Sequence, residues 1–187
     1  QISLMERLLM KFILIHHFLL WKFNMSYFIS DAFKNIQTLS TVHSAVQTTS
    51  SSANTFVTVT GSEISYTPAS GSTKVVYEIN FYAEKIGGVA FLVGQLENAD
   101  SGNSNWAEIN TKFRKNFGYS GSSSQSYRWN VNWRFVVPAW TGEKQLRLRI
   151  GHSSTNNDIS LHQITEWDGS GSITNRFCNT NLIVYSI

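Results

Sequence analysis

From Tyr127 to Val137 the apolar residues Tyr127, Trp129, Val131, Trp133, Phe135 and Val137 all fall on odd positions. Arg128, Asn130, Asn132 and Arg134 fall on even ones. Successive side chains of a strand point to opposite faces, so this pattern specifies a β-strand with one aromatic face and one polar face. Burying one such side chain contributes roughly 1.5–3 kcal/mol, and turning the strand over would lose most of its driving force for folding. The tryptophans therefore read first as sheet core, with indole N–H groups that need partners.

The period of two recurs from Thr55 onward. In Lys74–Glu84, Val75, Tyr77, Ile79 and Phe81 share a face, and Glu78 and Asn80 lie on the other. Val76 and Tyr82 make that second face partly apolar, as in a strand covered on both sides by its own sheet and by a second subunit. In Gln145–Ile150, Leu146, Leu148 and Ile150 alternate with Arg147 and Arg149. The terminal run Leu182–Ile187 is apolar on both faces and is expected to be a central strand. Further strand-like runs are Phe56–Thr60, Glu63–Thr67, Val89–Leu96, Trp106–Phe117 and Asp158–Thr165, separated by clusters of Gly, Ser, Asn and Thr. Many short strands with polar turns and no intervening helix predict a sandwich or barrel of antiparallel strands. No internal repeat is evident, which disfavours a propeller or solenoid.

Composition fits that class. Charged residues make up 14% of the 187 residues, against roughly 25% in an average soluble domain, while aromatics reach 13%. Of the net charge of +3, two units come from residues before position 50, so the β-region is nearly neutral and no nucleic-acid footprint is expected. Cys178 is the single cysteine, which excludes an internal disulfide and a multi-cysteine metal site; a buried thiol is expected.

Residues 1–47 read as a helical segment for oligomerisation or anchoring, residues 48–54 as a polar linker and residues 55–187 as the β-domain. Met25, Ile29, Ala32, Ile36, Leu39 and Val46, with His43 as the polar member, are spaced like a coiled-coil seam compatible with trimers. An amphipathic helix packed on its own domain gives the same spacing. Lys11, the His16–His17 pair and Lys22 interrupt the apolar residues before Met25, whereas a spanning helix needs about 20 apolar residues, so no membrane span is expected. Three readings stay open for residues 1–24: a buried or oligomer-forming helix, a membrane-associated helix, or upstream translated sequence that is not native.

Catalytic signatures are missing. The GYSGS run (118–122) is not a nucleophile elbow, and no glycine-rich phosphate loop precedes a helix. His152, Asp158, His162, Glu166 and Asp168 are the only cluster of metal-capable groups, and they lie in a segment that reads as strand and turn. No spacing singles out a carboxylate pair for glycoside hydrolysis. The expectation is a protein that is not an enzyme and uses no metal or cofactor. Trp106, Tyr119, Trp140 and Trp167 fall near turns, where an indole or phenol beside Asn and Asp offers a stacking surface to a glycan; packing at a strand end explains the same placement.

The runs ISYTPASGSTKVVYEINFYAE (64–84), WRFVVPAWTGEKQLRLRI (133–150) and LHQITEWDGSGS (161–172) resemble the compact β-domains of bacteriophage fibre and virion-surface proteins, especially those of marine phages. Those domains resemble the tumour-necrosis-factor-like jelly roll. The resemblance spans residues 55–187 and includes no binding motif. It implies a jelly-roll sandwich of about 8–10 strands, assembled as a homotrimer on the virion surface. An N-terminal helix or stalk would join it to other virion proteins, and a distal face would meet a host glycan or protein. The segment before Met25 departs from that pattern. Ile29 and Ile36 on the seam, with Val76 and Tyr82 on the second strand face, are the candidate subunit contacts. The alternative is a lectin-like carbohydrate-binding module of a secreted protein.

Overall fold

The computed structural model describes residues 33–49, 55–86, 90–111, 114–119, 126–152, 159–167, 169 and 173–187. Among these there is no α-helix. The strands are β1 (Lys34–Thr41), β2 (Gln47–Thr48), β3 (Val57–Thr58), β4 (Ile64–Tyr66), β5 (Lys74–Ile86), β6 (Ala90–Asp100) and β7 (Ala107–Glu108). They continue as β8 (Lys115–Tyr119), β9 (Ser126–Pro138), β10 (Lys144–His152), β11 (Ser160–Leu161), β12 (Gln163–Trp167), β13 (Ile173–Phe177) and β14 (Thr180–Ser186).

Two sheets of four columns face each other, and every pairing is antiparallel. In the first, β5 pairs β9 along its whole length, from Lys74–Pro138 to Ile86–Ser126. Its other edge pairs β14 and then β11, which pair β1 and β2 in turn. In the second, β6 and β10 form the centre, β3 and β4 share the outer edge of β10, and β7 and β8 share the outer edge of β6. Strands β12 and β13 form a separate hairpin. Because the chain leaves β5 for the opposite sheet and returns as its neighbour β9, the topology is that of a jelly-roll sandwich. The expected fold class is thus the observed one; the strand number is higher because four of the eight columns are each split between two strands and β12 and β13 add a separate hairpin.

The core follows the alternation. Val75, Tyr77, Ile79 and Phe81 of β5 and Val131, Trp133, Phe135 and Val137 of β9 are buried with Leu92, Leu96, Leu146, Leu148 and Ile150 of the facing sheet. Trp129 packs against this cluster, half-buried, on the same face as Trp133. Gly94 in β6 admits the large ring opposite: a Cβ there would lie 2.1 Å from Trp133 Cζ3. Tyr77, fully buried, donates its hydroxyl to the Ser62 carbonyl at 2.6 Å, so its polar tip is satisfied inside the core. Burial drives its pKa far above the ordinary tyrosine value.

Several expectations are corrected. Residues 34–41, read as helix, form strand β1 against β14, with a bulge between Lys34 and Gln37 that includes Asn35 at φ 50°. Pairing with the apolar β14 outweighs the 3–4 spacing, and the seam inverts: Ile36, Leu39 and Val46 are exposed whereas His43 is buried. Within the expected linker, Thr48 belongs to β2 and Thr49 is buried. Residues 1–32 and 50–54, with Ile29, lie outside the described residues. The run Trp106–Phe117 divides into β7 and β8. Asp158–Thr165 divides at His162, whose φ of 66° breaks the strand. Strand β13 was not anticipated. Of the candidate subunit contacts, Ile36 is 58% exposed and Tyr82 half-buried, whereas Val76 is fully buried within the chain and presents no free surface. Cys178 is half-buried rather than buried.

Candidate functional site

The antiparallel register brings the end of β6, the start of β10, the start of β5 and the end of β9 to one pole of the sandwich. Two of the four turn aromatics meet there. Trp106 follows a turn built by Gly102 at φ 76° and by the Asn103 side chain, which accepts the Asn105 N–H at 3.0 Å. The Arg147 guanidinium lies 4.0 Å from its ring centroid, a cation–π contact that covers one ring face. Arg147 is itself held by Glu97 at 2.8 Å, with Glu63 at 3.9 Å. Trp106, Ile64, Glu63, Ser65 and Gln145 line a recess of about 170 Å³.

Glu97 is the electrostatic centre of this face. It is 4% exposed and accepts Arg147, Arg149 at 3.2 Å and the Gln95 amide at 2.7 Å. Burial alone would raise its pKa, but the three donors outweigh burial and hold the carboxyl below its ordinary value.

Trp140 sits in the β9–β10 connection, packed edge-on against Tyr66 with ring centroids 6.3 Å apart. It walls a larger cleft, about 400 Å³, formed by residues 67–72 and 139–142. Tyr119 and Trp167 do not join this pole at the backbone level. Tyr119 ends β8 opposite Ala90, at the far end of β6, and Trp167 ends β12 opposite Ile173. Their side chains lie outside the described residues.

Beside Phe81 and Tyr82 of β5, where β14 gives way to β11, lies a polar cluster that the sequence did not reveal. His43, from the β1–β2 connection, stacks on His162 with centroids 3.8 Å apart and planes 4° from parallel. His43 Nε2 lies 2.9 Å from Thr180 Oγ1, which lies 3.1 Å from His162 Nδ1. His162 Nε2 is 3.1 Å from Gln47 Oε1, which also accepts the Thr60 N–H at 2.9 Å. Because Gln47 Oε1 only accepts, His162 Nε2 must donate. His162 Nδ1 then accepts the Thr180 hydroxyl proton, and Thr180 accepts from His43 Nε2–H. Two neutral imidazoles satisfy every bond. Burial, then the neighbouring His43, lowers the His162 pKa to about 4; burial lowers that of His43. The pairs His43–Thr180 and Gln47–His162 join positions more than 100 residues apart, so no local spacing signals the cluster. Its sequence cues are His43, the polar member of an apolar spacing, and His162, one of the metal-capable groups, and nothing in the sequence joins the two.

Among the described residues no group of three or more His, Cys, Asp or Glu side chains gathers as a metal site, and no helix is long and apolar enough to cross a membrane. No family model and no curated protein matches the chain. Among solved structures it is similar to the globular domain of zebrafish complement 1qA protein, at 13% identity over 82% of this chain and 97% of that one, with a TM-score of 0.36.

Proposed function

We propose that this chain is a non-enzymatic binding domain that acts as a homotrimer, as a fibre or decoration element on a virion surface that attaches the particle to a host glycan or protein. The observation that supports self-association best is the outer face of the first sheet. Across it run Tyr185, Val76 and Val136, and in the next row Thr38, Ile183, Glu78 and Arg134. Val76 and Tyr185 are buried, while Val136 and Ile183 are 37% and 40% exposed and Ile36 stands free at the β1 edge. Exposed branched side chains around a filled apolar centre, bordered by the Arg134–Glu78 pair at 3.5 Å, suit a subunit interface. The number three and the viral setting rest on the resemblance of the sequence to tumour-necrosis-factor-like fibre domains. Three weak sites on one assembly would raise avidity without a strong single site.

Sedimentation of the full chain at micromolar concentration tests the assembly: a trimer is expected, and a stable monomer would overturn it. The viral setting predicts that virion structural genes flank the coding sequence, and a neighbourhood of unrelated cellular genes would remove it.

A further inference from the structure

We propose that the cleft between residues 67–72 and 139–142 is a binding site for a neutral saccharide of one or two rings. This deepens the attachment reading by naming a site and a ligand class, and it rests on that reading only for its biological setting.

The cleft is built and anchored. Ser72 N–H donates to the Ala69 carbonyl at 3.1 Å, and Ala69 N–H to Ser186 Oγ at 3.1 Å. Thr73 and Lys74 N–H both bond the Ile187 carbonyl, and Ala139 N–H bonds the Thr73 carbonyl at 3.0 Å. Both walls are therefore tied to the sheet. Gly71 at φ 77° and Gly142 at φ 81° form the turn tips, where an added Cβ would meet nothing within 4 Å, so the mouth is open between them. A volume of about 400 Å³ falls within the range of small-molecule sites.

The lining selects the chemistry. Thr67, Ser70, Ser72 and Thr141 supply hydroxyls, and Pro68 and Trp140 supply apolar surface. No charged side chain lines the cleft among the described residues. Of the nearest charges along the chain, Glu143 accepts Ser101 Oγ at 2.6 Å, Lys144 lies 3.3 Å from Asp100, and the exposed Lys74, two residues beyond Ser72, is not part of the lining. An uncharged lining favours a neutral ligand, and a pyranose presents a C–H face to an indole and a rim of hydroxyls to Ser and Thr.

Two polar atoms point the same way. Trp140 Nε1 and Ser72 Oγ are buried and have no hydrogen-bond partner among the described residues. Buried polar groups are nearly always paired, so these two atoms, both on residues that line the cleft, leave hydrogen-bonding capacity beside it that a ligand hydroxyl can use. Both atoms are enclosed, so a sugar hydroxyl reaches them after a side-chain adjustment of the kind that commonly accompanies binding.

The test is nuclear magnetic resonance of the full chain with its six tryptophan indoles labelled by ¹⁵N, assigning Trp140 through Trp140→Phe. The probes are maltose, cellobiose, lactose, mannobiose and chitobiose, added to millimolar concentration, with sialyllactose as a charged comparison. A saturable shift of the Trp140 indole signal by at least one neutral disaccharide is expected. Ser72→Ala should weaken that binding by about threefold to tenfold, as for one lost hydrogen bond. If Trp140→Phe does not fold, Ser72→Ala carries the assignment through the diminished response. No shift with any neutral probe, a response confined to Trp106, or binding of sialyllactose alone would overturn the proposal. Sedimentation of the same sample separates the two readings: a trimer without saccharide binding removes only this site, and a monomer that binds removes only the trimer.

Discussion

Gly94 and Trp133 are a fitted pair across the sandwich: the six-membered ring of the indole occupies the place where a side chain on β6 would begin, 2.1 Å from an idealised Cβ. The contact is to a packed ring rather than the end of a flexible chain, so even one methyl must displace Trp133. Gly94→Ala is expected to cost about 1–3 kcal/mol, the usual range for overpacking a filled core, read from urea unfolding. Trp133→Leu in the same background should cost less than the sum of the two single changes, because the smaller side chain leaves room for the methyl. Strict additivity would show that the two residues do not compete for space.

The histidine stack predicts a pH dependence of stability. In the unfolded chain both rings titrate near 6.5, whereas in the folded protein both pKa values are lowered, that of His162 to about 4. Between those values the unfolded state binds protons that the folded state refuses, so stability falls as pH falls. The contribution is complete above about pH 6.5 and lost toward pH 4. The Tm should drop across that window, and His162→Asn should flatten the profile between pH 6.5 and 4.5, since Asn tolerates the left-handed φ of this position. An unchanged slope in the variant would assign the effect to other groups. Glu97 adds a separate loss below its ordinary pKa of 4.5, as its lowered value keeps it charged until stronger acid.

Glu97 binds two guanidiniums, one of which covers Trp106. Glu97→Gln removes the charge and leaves Arg147 and Arg149 short of an acceptor. Both arginines keep some solvent access, at 18% and 31%, so the expected loss is about 1–3 kcal/mol rather than the full penalty of a sealed ion pair. Calorimetric unfolding measures it. Arg147→Lys should alter the Trp106 environment in near-ultraviolet circular dichroism with the fold intact, because an ammonium lacks the planar group that lies over the ring. An identical spectrum would show that the stacking is not formed in solution.

On the outer sheet face, Ile183→Lys places a charge where an interface would be apolar. Surface changes of this kind usually alter monomer stability by less than about 0.5 kcal/mol, so the variant should sediment as a folded monomer. Ile36→Glu should act in the same direction from the β1 edge. Persistence of the wild-type assembly in both variants would move the interface elsewhere.

Residues 127–137 and 74–84 revealed the core because alternation over ten residues with bulky aromatics admits one register. The Trp106–Trp140 pole was partly legible, since turn residues bracket both tryptophans, but the Arg147 cover and the unpaired Ser72 depend on pairings between distant segments. Strand β1 has the sequence pattern of a helix, because Ile36, Leu39 and His43 keep helical spacing; its pairing with β14 makes it a strand. The two-residue strands β2, β3, β7 and β11 are too short for any period to appear, and their neighbours alone define them.

Strand β5 finds its long partner β9 only after the chain has crossed to the other layer and back, laying down β6, β7 and β8 on the way. The β5–β9 ladder therefore joins segments separated by the whole of β6, β7 and β8. Most of its contacts join distant segments, which sets it among the slow-folding topologies, because the entropy of closing long loops is lost before those contacts form.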